Sequence, residues 1–154
     1  MKRIGKLNAI NEEFIRKVKP IMESWGLSRH PNPAAHFGKS EYGYHYDFAD
    51  LSDINETKLA AFSIINPGAG LWIKGVCIKS GGGSYSDVPI IFDTMEDVFT
   101  LTRSWSIFRP LISARFEFYN KTNEANEDAA TRLIASVLDN LHKLEDYLVG
   151  SEQR

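Results

Sequence analysis

One eight-residue stretch, 41–48, constrains the fold more than any other part of the chain. Aromatic residues occupy every second position, and polar residues or glycine lie between them. A period of two places alternate side chains on opposite faces of an extended strand, whereas a helix would scatter these aromatics around its surface. The sequence therefore predicts a strand with Tyr42, Tyr44, Tyr46 and Phe48 on one face and Glu41, His45 and Asp47 on the other.

Four other segments show strand patterns, and one of them has apolar residues on both faces. That segment, Lys58–Asn66, is typical of a central strand that is covered on each side. The turn-forming residues 66–70 join it closely to the next segment, which favours an antiparallel hairpin. The remaining predicted strands are Leu71–Lys79, Val88–Phe92 and Ile112–Tyr119.

Three segments carry apolar residues at spacings of three and four, the period of a helix packed on a core. In the first, Asn11 is the predicted N-cap and Pro20 is expected to kink or shorten the helix. Residues 28–38, which include two prolines, are predicted to form a loop. The predicted helices run from about Asn11 to Trp25, from Asp93 or Thr94 to Phe108, and from Asn123 to Leu148.

These elements follow one another in the order α-β-β-β-β-α-β-α. Short links between the strands favour pairing of sequence neighbours, and the amphipathic helices need a sheet on which to bury their apolar stripes. A chain of 154 residues has the usual length of one domain. We therefore expect a single α+β domain spanning residues 1–154, with a mainly antiparallel five-stranded sheet packed by three helices.

The formal charge is unevenly distributed along the chain. The total is only −2, so it gives no general attraction to nucleic acid or to an anionic membrane. The first 40 residues, however, carry eight basic and three acidic side chains, and residues 41–57 carry five acidic side chains with no Lys or Arg. We interpret the acidic and aromatic stretch as a candidate docking surface for a basic protein. Its candidate partner-binding residues are Glu41, Tyr42, His45, Asp47, Asp50, Asp53 and Glu56.

The sequence shows no motif that identifies an enzyme or a cofactor site. It has no Gly-x-Ser-x-Gly turn, no His-Glu-x-x-His and no paired cysteines, so we predict no catalytic residue, bound metal or cofactor. A single cysteine, Cys77, fits a reducing compartment, and no apolar stretch has the length of a signal peptide or a membrane span. We expect a cytoplasmic protein that does not bind nucleic acid or membranes directly.

Two alternatives to a protein-binding surface stay open. In one, His45 and Asp47, with His36 as a third member, lie at the mouth of a ligand-binding or hydrolytic pocket beside the Gly81–Gly83 loop. In the other, the chain forms a homodimer through an exposed aromatic such as Trp72 or Tyr85.

The chain resembles the small α+β immunity proteins of bacterial toxin–immunity systems. The resemblance lies in the acidic and aromatic stretch from Glu41 to Glu56, the compact five-stranded layout and the absence of a catalytic motif. It implies a non-enzymatic, cytoplasmic inhibitor that binds a cognate basic toxin domain and blocks its active-site or substrate-binding surface. The basic first 40 residues differ from a uniformly acidic inhibitor.

Overall fold

The structure, a computed structural model, describes residues 4–66, 69–79, 98–103 and 116–150. Within these residues, seven strands form one antiparallel sheet that packs against two helical segments. The α+β class and the antiparallel sheet are thus confirmed, whereas the predicted five strands and three helices are not matched. The strands are β1 (Ser28–Arg29), β2 (Phe37–Ser40), β3 (Gly43–Asp50), β4 (Glu56–Ile65), β5 (Gly70–Lys79), β6 (Phe99–Thr100) and β7 (Phe116–Glu117).

Strand β4 lies at the centre of the sheet, as its two apolar faces predicted. The order across the sheet is β1-β3-β4-β5-β6, while β2 also pairs with the outer edge of β3 and β7 pairs with β5. β3 and β4 form one hairpin, and β4 and β5 form another. Every residue of β3 pairs with a residue of β4, and every residue of β4 pairs with a residue of β5. These three long strands fix which side chains lie beside one another on each face.

Residues 28–38 are not the uniform loop that their prolines suggested. They contain β1 and the start of β2, and both short strands pair with β3. Without them, the long outer edge of β3 would leave a row of backbone hydrogen-bonding groups without strand partners. The requirement for pairing therefore outweighs the local turn signals.

The N-terminal helical segment begins earlier than predicted and passes through Pro20. It comprises α1 (Lys6–Glu13), a π-helical turn (Phe14–Val18) and α2 (Lys19–Ser24). In the π-helical turn, the Lys19 N–H donates to the Phe14 carbonyl five residues earlier. Proline has no N–H to continue the regular ladder, and the wider turn just before it accommodates that loss without ending the helix. Asn11 lies inside the helix rather than at its N-cap.

The long C-terminal helix, α3 (Asn126–Leu148), buries the apolar stripe that its sequence predicted. It begins three residues later than expected because Asn123 takes a left-handed conformation (φ 61°) in the preceding turn. The helix packs closely on β5 at Gly75, where a Cβ atom would lie 2.7 Å from Leu144 Cδ1. Glycine at this position therefore lets helix and sheet approach each other.

The core lies between the helices and one face of the sheet, which we call the helix face. Phe14 contacts Tyr46 and Phe62 at ring-centroid distances of 4.8 and 5.0 Å, and Phe48 lies 5.7 Å from Phe62. The predicted aromatic face of β3 is thus confirmed at Tyr46 and Phe48, which are buried. The Tyr46 hydroxyl donates to Asn11 Oδ1 at 2.5 Å, and burial raises the pKa of this phenol above its ordinary value despite that bond.

The predicted helix from residue 93 or 94 to 108 is wrong for the part that the structure describes. Phe99 and Thr100 form β6 on the edge of β5, and the Leu101 N–H donates to the Ile73 carbonyl at 2.9 Å. β-Branched and aromatic residues are favoured in strands, so an available sheet edge outweighs a helical spacing of apolar residues. The rest of that segment, the predicted strand Val88–Phe92 and the Gly81–Gly83 loop lie outside the described residues. The predicted strand Ile112–Tyr119 is described only from residue 116, where it forms β7.

Candidate functional site

The acidic stretch does not form one surface, because β3 separates its two ends. Glu41 and Tyr42 lie in the turn before β3, and Tyr42 is 67% exposed. At the other end of the strand, Asp50 is its last residue, and Asp53 and Glu56 follow it. At about 3.3 Å per residue, Tyr42 and Asp50 are roughly 26 Å apart. The seven predicted partner-binding residues therefore lie in three separate places: the turn before β3, the middle of β3, and the segment after it.

The segment after β3, which we call the acidic loop (residues 50–56), has its backbone fixed by hydrogen bonds to its own carboxylates. Asp50 Oδ1 accepts the Ser52 N–H at 2.9 Å and the Ser52 hydroxyl at 2.6 Å. Asp53 Oδ1 accepts the Asn55 N–H at 2.8 Å. Such aspartate turns fix a loop locally, and here they present Ile54 with 76% of its surface exposed. The loop combines negative charge with a solvent-facing apolar side chain.

An open groove of about 360 Å³ lies beside the acidic loop. Its lining consists of Gly26, Ser28, Arg29, Pro31 and residues 49–52. Arg29 and Asp50 place opposite charges in this lining. The groove therefore offers contacts of both signs next to the acidic loop.

The middle section of β3 contains a chain of hydrogen bonds that we call the polar relay: Ser63, His45 and Asp47. Ser63 Oγ lies 2.6 Å from His45 Nδ1, and His45 Nε2 lies 2.9 Å from Asp47 Oδ1. The hairpin register explains this arrangement, since Ser63 on β4 is directly opposite His45, and Asp47 is two residues further along β3 on the same face. The relay lies on the face of the sheet away from the helices, which we call the opposite face.

Asp47 is a buried residue, 2% exposed, and not part of an acidic surface. Its second carboxylate oxygen accepts the His36 N–H at 2.9 Å. Its backbone N–H donates to the His36 carbonyl, and its carbonyl accepts the His30 N–H, both at 2.9 Å. Asp47 therefore fastens the 30–36 segment to β3, and this limits any docking role for its charge.

His36, expected as a third member of the pair, lies close to His45 but does not complete a metal site. The two imidazole rings meet edge to face with their centroids 5.7 Å apart. Among the residues that the structure describes, no group of three or more His, Cys, Asp or Glu side chains is placed to hold a metal ion. His36 thus contributes a ring contact to His45 and a backbone hydrogen bond to Asp47.

Three cross-strand rows describe the surroundings of the polar relay on the opposite face. One row is buried and apolar, with Ala49, Leu59 and Val76 each at most 4% exposed. The next row has Ala61 between Asp47 and Lys74, and the third has Ser63 between His45 and Trp72. The relay thus lies in the second and third rows, with Asp47 buried and His45 and Ser63 partly exposed.

A separate cleft of about 340 Å³ lies between the end of β5 and the last turns of α3. Phe99 and Tyr147 stack there with their ring centroids 4.8 Å apart, and Cys77 is partly exposed. The Cys77 thiol lies 3.8 Å from the Tyr147 carbonyl oxygen. Charged residues of both signs, Glu56, Lys79, Lys143 and Asp146, complete the lining.

Ser63 is a residue of the candidate site that the sequence did not indicate. A serine in a largely apolar strand carries no motif of its own, and no Gly-x-Ser-x-Gly turn marks it. The signal that could have found it is the hairpin register, which pairs position 45 with position 63. Register depends on the turn geometry as well as on the hydrophobic pattern, so the two strand predictions alone left it unspecified.

No family model, curated protein or solved structure matches this chain. Within the described ranges, no helix combines the length and the apolar character that crossing a membrane requires.

Proposed function

We propose that this protein is a cytoplasmic inhibitor of the immunity-protein type, which binds a basic toxin domain through its acidic loop. The observation that carries the proposal is the loop itself: two carboxylates fix its backbone while an isoleucine stands exposed within it. A rigid loop loses little conformational entropy on binding, because its geometry is already set. The single cysteine supports the cytoplasmic assignment, since one thiol suits a reducing compartment.

Charge and apolar contact have different roles in this proposal. Asp50, Asp53 and Glu56 attract a basic surface and speed the encounter, because complementary charges steer association. Ile54 then supplies apolar area that is removed from water in the complex. Inhibition follows from covering the toxin surface, so this role requires no chemistry from the inhibitor.

The charge of the acidic loop can be removed without removing its turns. Asparagine keeps the side-chain oxygen that accepts the turn N–H, so the variant Asp50→Asn/Asp53→Asn should retain the loop geometry. At 0.2–1 kcal/mol for each exposed ion pair, we expect roughly 2- to 30-fold weaker binding of the captured partner and a smaller salt dependence. The matched control is Asp128→Asn/Asp139→Asn, which removes two exposed charges from α3.

The apolar contact has its own matched pair of variants. Ile54→Ser should weaken binding by about tenfold or more, whereas Ile15→Ser, at an exposed position of the N-terminal helical segment, should leave it unchanged. The partner is captured from the native host at low salt, identified by mass spectrometry and titrated against each variant by calorimetry. Unchanged affinity in the loop variants, an acidic partner, or recovery of this chain alone would contradict the proposal. The last result would favour self-association instead.

A further inference from the structure

We propose that the polar relay is a nucleophilic acyl-transfer site that hydrolyses small carboxylic esters with aryl leaving groups. Ser63 supplies the hydroxyl nucleophile, His45 the general base, and Asp47 the carboxylate that positions the imidazole. Nucleophile, base and positioning acid within hydrogen-bond reach of one another form the arrangement that activates a serine. This activity is separate from the acidic loop and does not depend on it.

The hydrogen-bond chemistry of the three groups fixes the proton positions that the reaction needs. An ionised carboxylate only accepts hydrogen bonds, so His45 Nε2 must carry the proton that faces Asp47 Oδ1. In a neutral imidazole the other nitrogen, Nδ1, is then an acceptor, and the Ser63 hydroxyl donates to it. The imidazole is turned round relative to the serine-hydrolase triad, in which Nε2 faces the serine, but a basic nitrogen still faces the hydroxyl.

The exposure of the three side chains suits their roles. Asp47 is buried and held by the His36 N–H, so the carboxylate has a fixed position behind the imidazole. The His45 side chain is 25% exposed, and Ser63 is also partly exposed. A small substrate can therefore reach the nucleophile and the base, while the positioning group is shielded from water.

The neighbours of Ser63 indicate the kind of ester. Trp72 lies directly opposite Ser63 on β5, so their Cβ atoms are about 5 Å apart on the same face. An indole beside the nucleophile offers an apolar wall against which an aromatic leaving group can pack. Lys74, in the adjacent row, adds a positive charge on the face where the oxyanion develops.

The reaction balances with ester and water alone. Ser63 Oγ bonds to the acyl carbon as its proton moves to His45 Nδ1, and the bond from the acyl carbon to the aryl oxygen breaks. The phenol leaves with the proton from His45. Water then attacks the acyl-serine, gives a proton to His45 and releases the carboxylic acid as that proton returns to Ser63 Oγ.

The first test is covalent labelling of the whole chain with an organophosphorus fluoride, followed by peptide mapping. Ser63 Oγ should bond to phosphorus with loss of fluoride, and its proton should leave through His45. We expect labelling at Ser63 and not at Ser28, an exposed serine of β1 that serves as the internal control. Because the unmodified protein is labelled, the result does not depend on whether any variant folds.

The role of His45 is tested by substitution and chemical rescue. His45→Gly should slow labelling of Ser63 by roughly 100-fold, as expected for loss of a general base, and free imidazole should restore it. A purely structural histidine would not be rescued in this way. With p-nitrophenyl acetate as substrate, Ser63→Ala should bring release of p-nitrophenolate down to background, whereas His142→Gln on the exposed side of α3 should not change it.

The possible outcomes separate this proposal from the inhibitor proposal. Labelling of Ser63 that requires His45 supports it, and the same labelling in Asp50→Asn/Asp53→Asn shows that it is independent of the acidic loop. Labelling of Ser63 no faster than that of Ser28, or labelling of Ser63 in His45→Gly at the rate of the unmodified protein without imidazole, overturns it. Either of these two results leaves binding through the acidic loop unaffected.

Discussion

The two faces of the β3–β4 hairpin differ in chemistry, although their residues alternate along the same two strands: the helix face is mainly aromatic and apolar, and the opposite face carries the polar relay beside a small apolar row. On the helix face, Phe48 and Phe62 pack with Phe14 of the N-terminal helical segment in an apolar core. On the opposite face, His45 and Ser63 form hydrogen bonds instead. We expect the helix face to provide most of the stability that holds the polar relay in place, because the larger buried cluster lies there.

The clearest comparison uses two consecutive residues of β4. Phe62→Ala should lower the free energy of unfolding by about 3–5 kcal/mol, because it leaves a cavity among fully buried aromatic rings. Ser63→Ala, one position further on, removes only a half-buried hydroxyl and should cost about 1 kcal/mol or less. Urea denaturation of both variants measures the difference. Equal losses would show that the opposite face also carries the stability of the fold.

Among the three residues of the polar relay, Asp47 is the buried one, and it is hydrogen-bonded on several sides. Asp47→Ala leaves the His36 N–H without its carboxylate acceptor and should cost about 1–3 kcal/mol. Asp53→Ala, at an exposed position of the acidic loop, should change stability by about 0.5 kcal/mol. Thermal unfolding of the Asp47→Ala and Asp53→Ala variants measures the two losses of stability. A loss at position 53 as large as that at position 47 would contradict the distinction between buried and surface acids.

On the helix face, removing the hydroxyl of Tyr46 should have a modest effect on stability. Tyr46→Phe removes a part-buried hydrogen bond to Asn11 and should cost about 0.5–1.5 kcal/mol. Tyr44→Phe, which removes an exposed bond to Asn8, should cost less. Because the pKa of Tyr46 is raised in the folded state, its contribution is complete below the ordinary value near 10 and is lost as the pH rises above it. An ultraviolet titration should detect this tyrosine ionising later than in the unfolded chain.

The smallest change in unfolding free energy is expected at acidic pH, and it involves two carboxylates outside the β3–β4 hairpin. Burial tends to raise the pKa of Glu13, but hydrogen bonds from Lys17 and Arg16 outweigh it and lower the pKa below its ordinary value. The hydrogen bond from Arg132 likewise lowers the pKa of Glu124. Lowered folded-state values give stability that is present above about pH 4.5 and is lost as the pH falls through those values.

The acid effect is tested by removing the two carboxylates. Glu13→Gln and Glu124→Gln should each flatten the fall of unfolding free energy below about pH 4.5. Glu12→Gln, at an exposed position of α1, is the control. A slope that is unchanged in both test variants would show that other carboxylates govern acid unfolding.

Much of the fold could be predicted from residue periodicity. The alternation at 41–48 identified β3, the two apolar faces of 58–66 identified the central strand, and the apolar stripe of α3 identified the last helix. The exchange of a predicted helix for a strand at 99–100 shows the limit of this reasoning. Short apolar segments fit either period, and the unpaired edge of β5 decides between them.

The candidate site was only partly predictable. The alternation in residues 41–48 indicated His45, the local charge indicated the acidic residues after β3, and both are parts of candidate sites. The local charge also placed Asp47 on the acidic surface, whereas the fold buries this residue beneath the 30–36 segment. Charge counted along a sequence does not distinguish a carboxylate in solvent from one that accepts backbone hydrogen bonds.

The sequence by itself determined which residues alternate on β3 and β4, because side-chain direction in a strand follows directly from the period of two. Only the tertiary structure decided which of those residues meet. The pairing of position 45 with position 63 depends on the register across a hairpin, and a shift of one residue would have placed His45 opposite an apolar side chain. The polar relay is therefore a consequence of long-range strand pairing, whereas the strands that carry it are a consequence of local pattern.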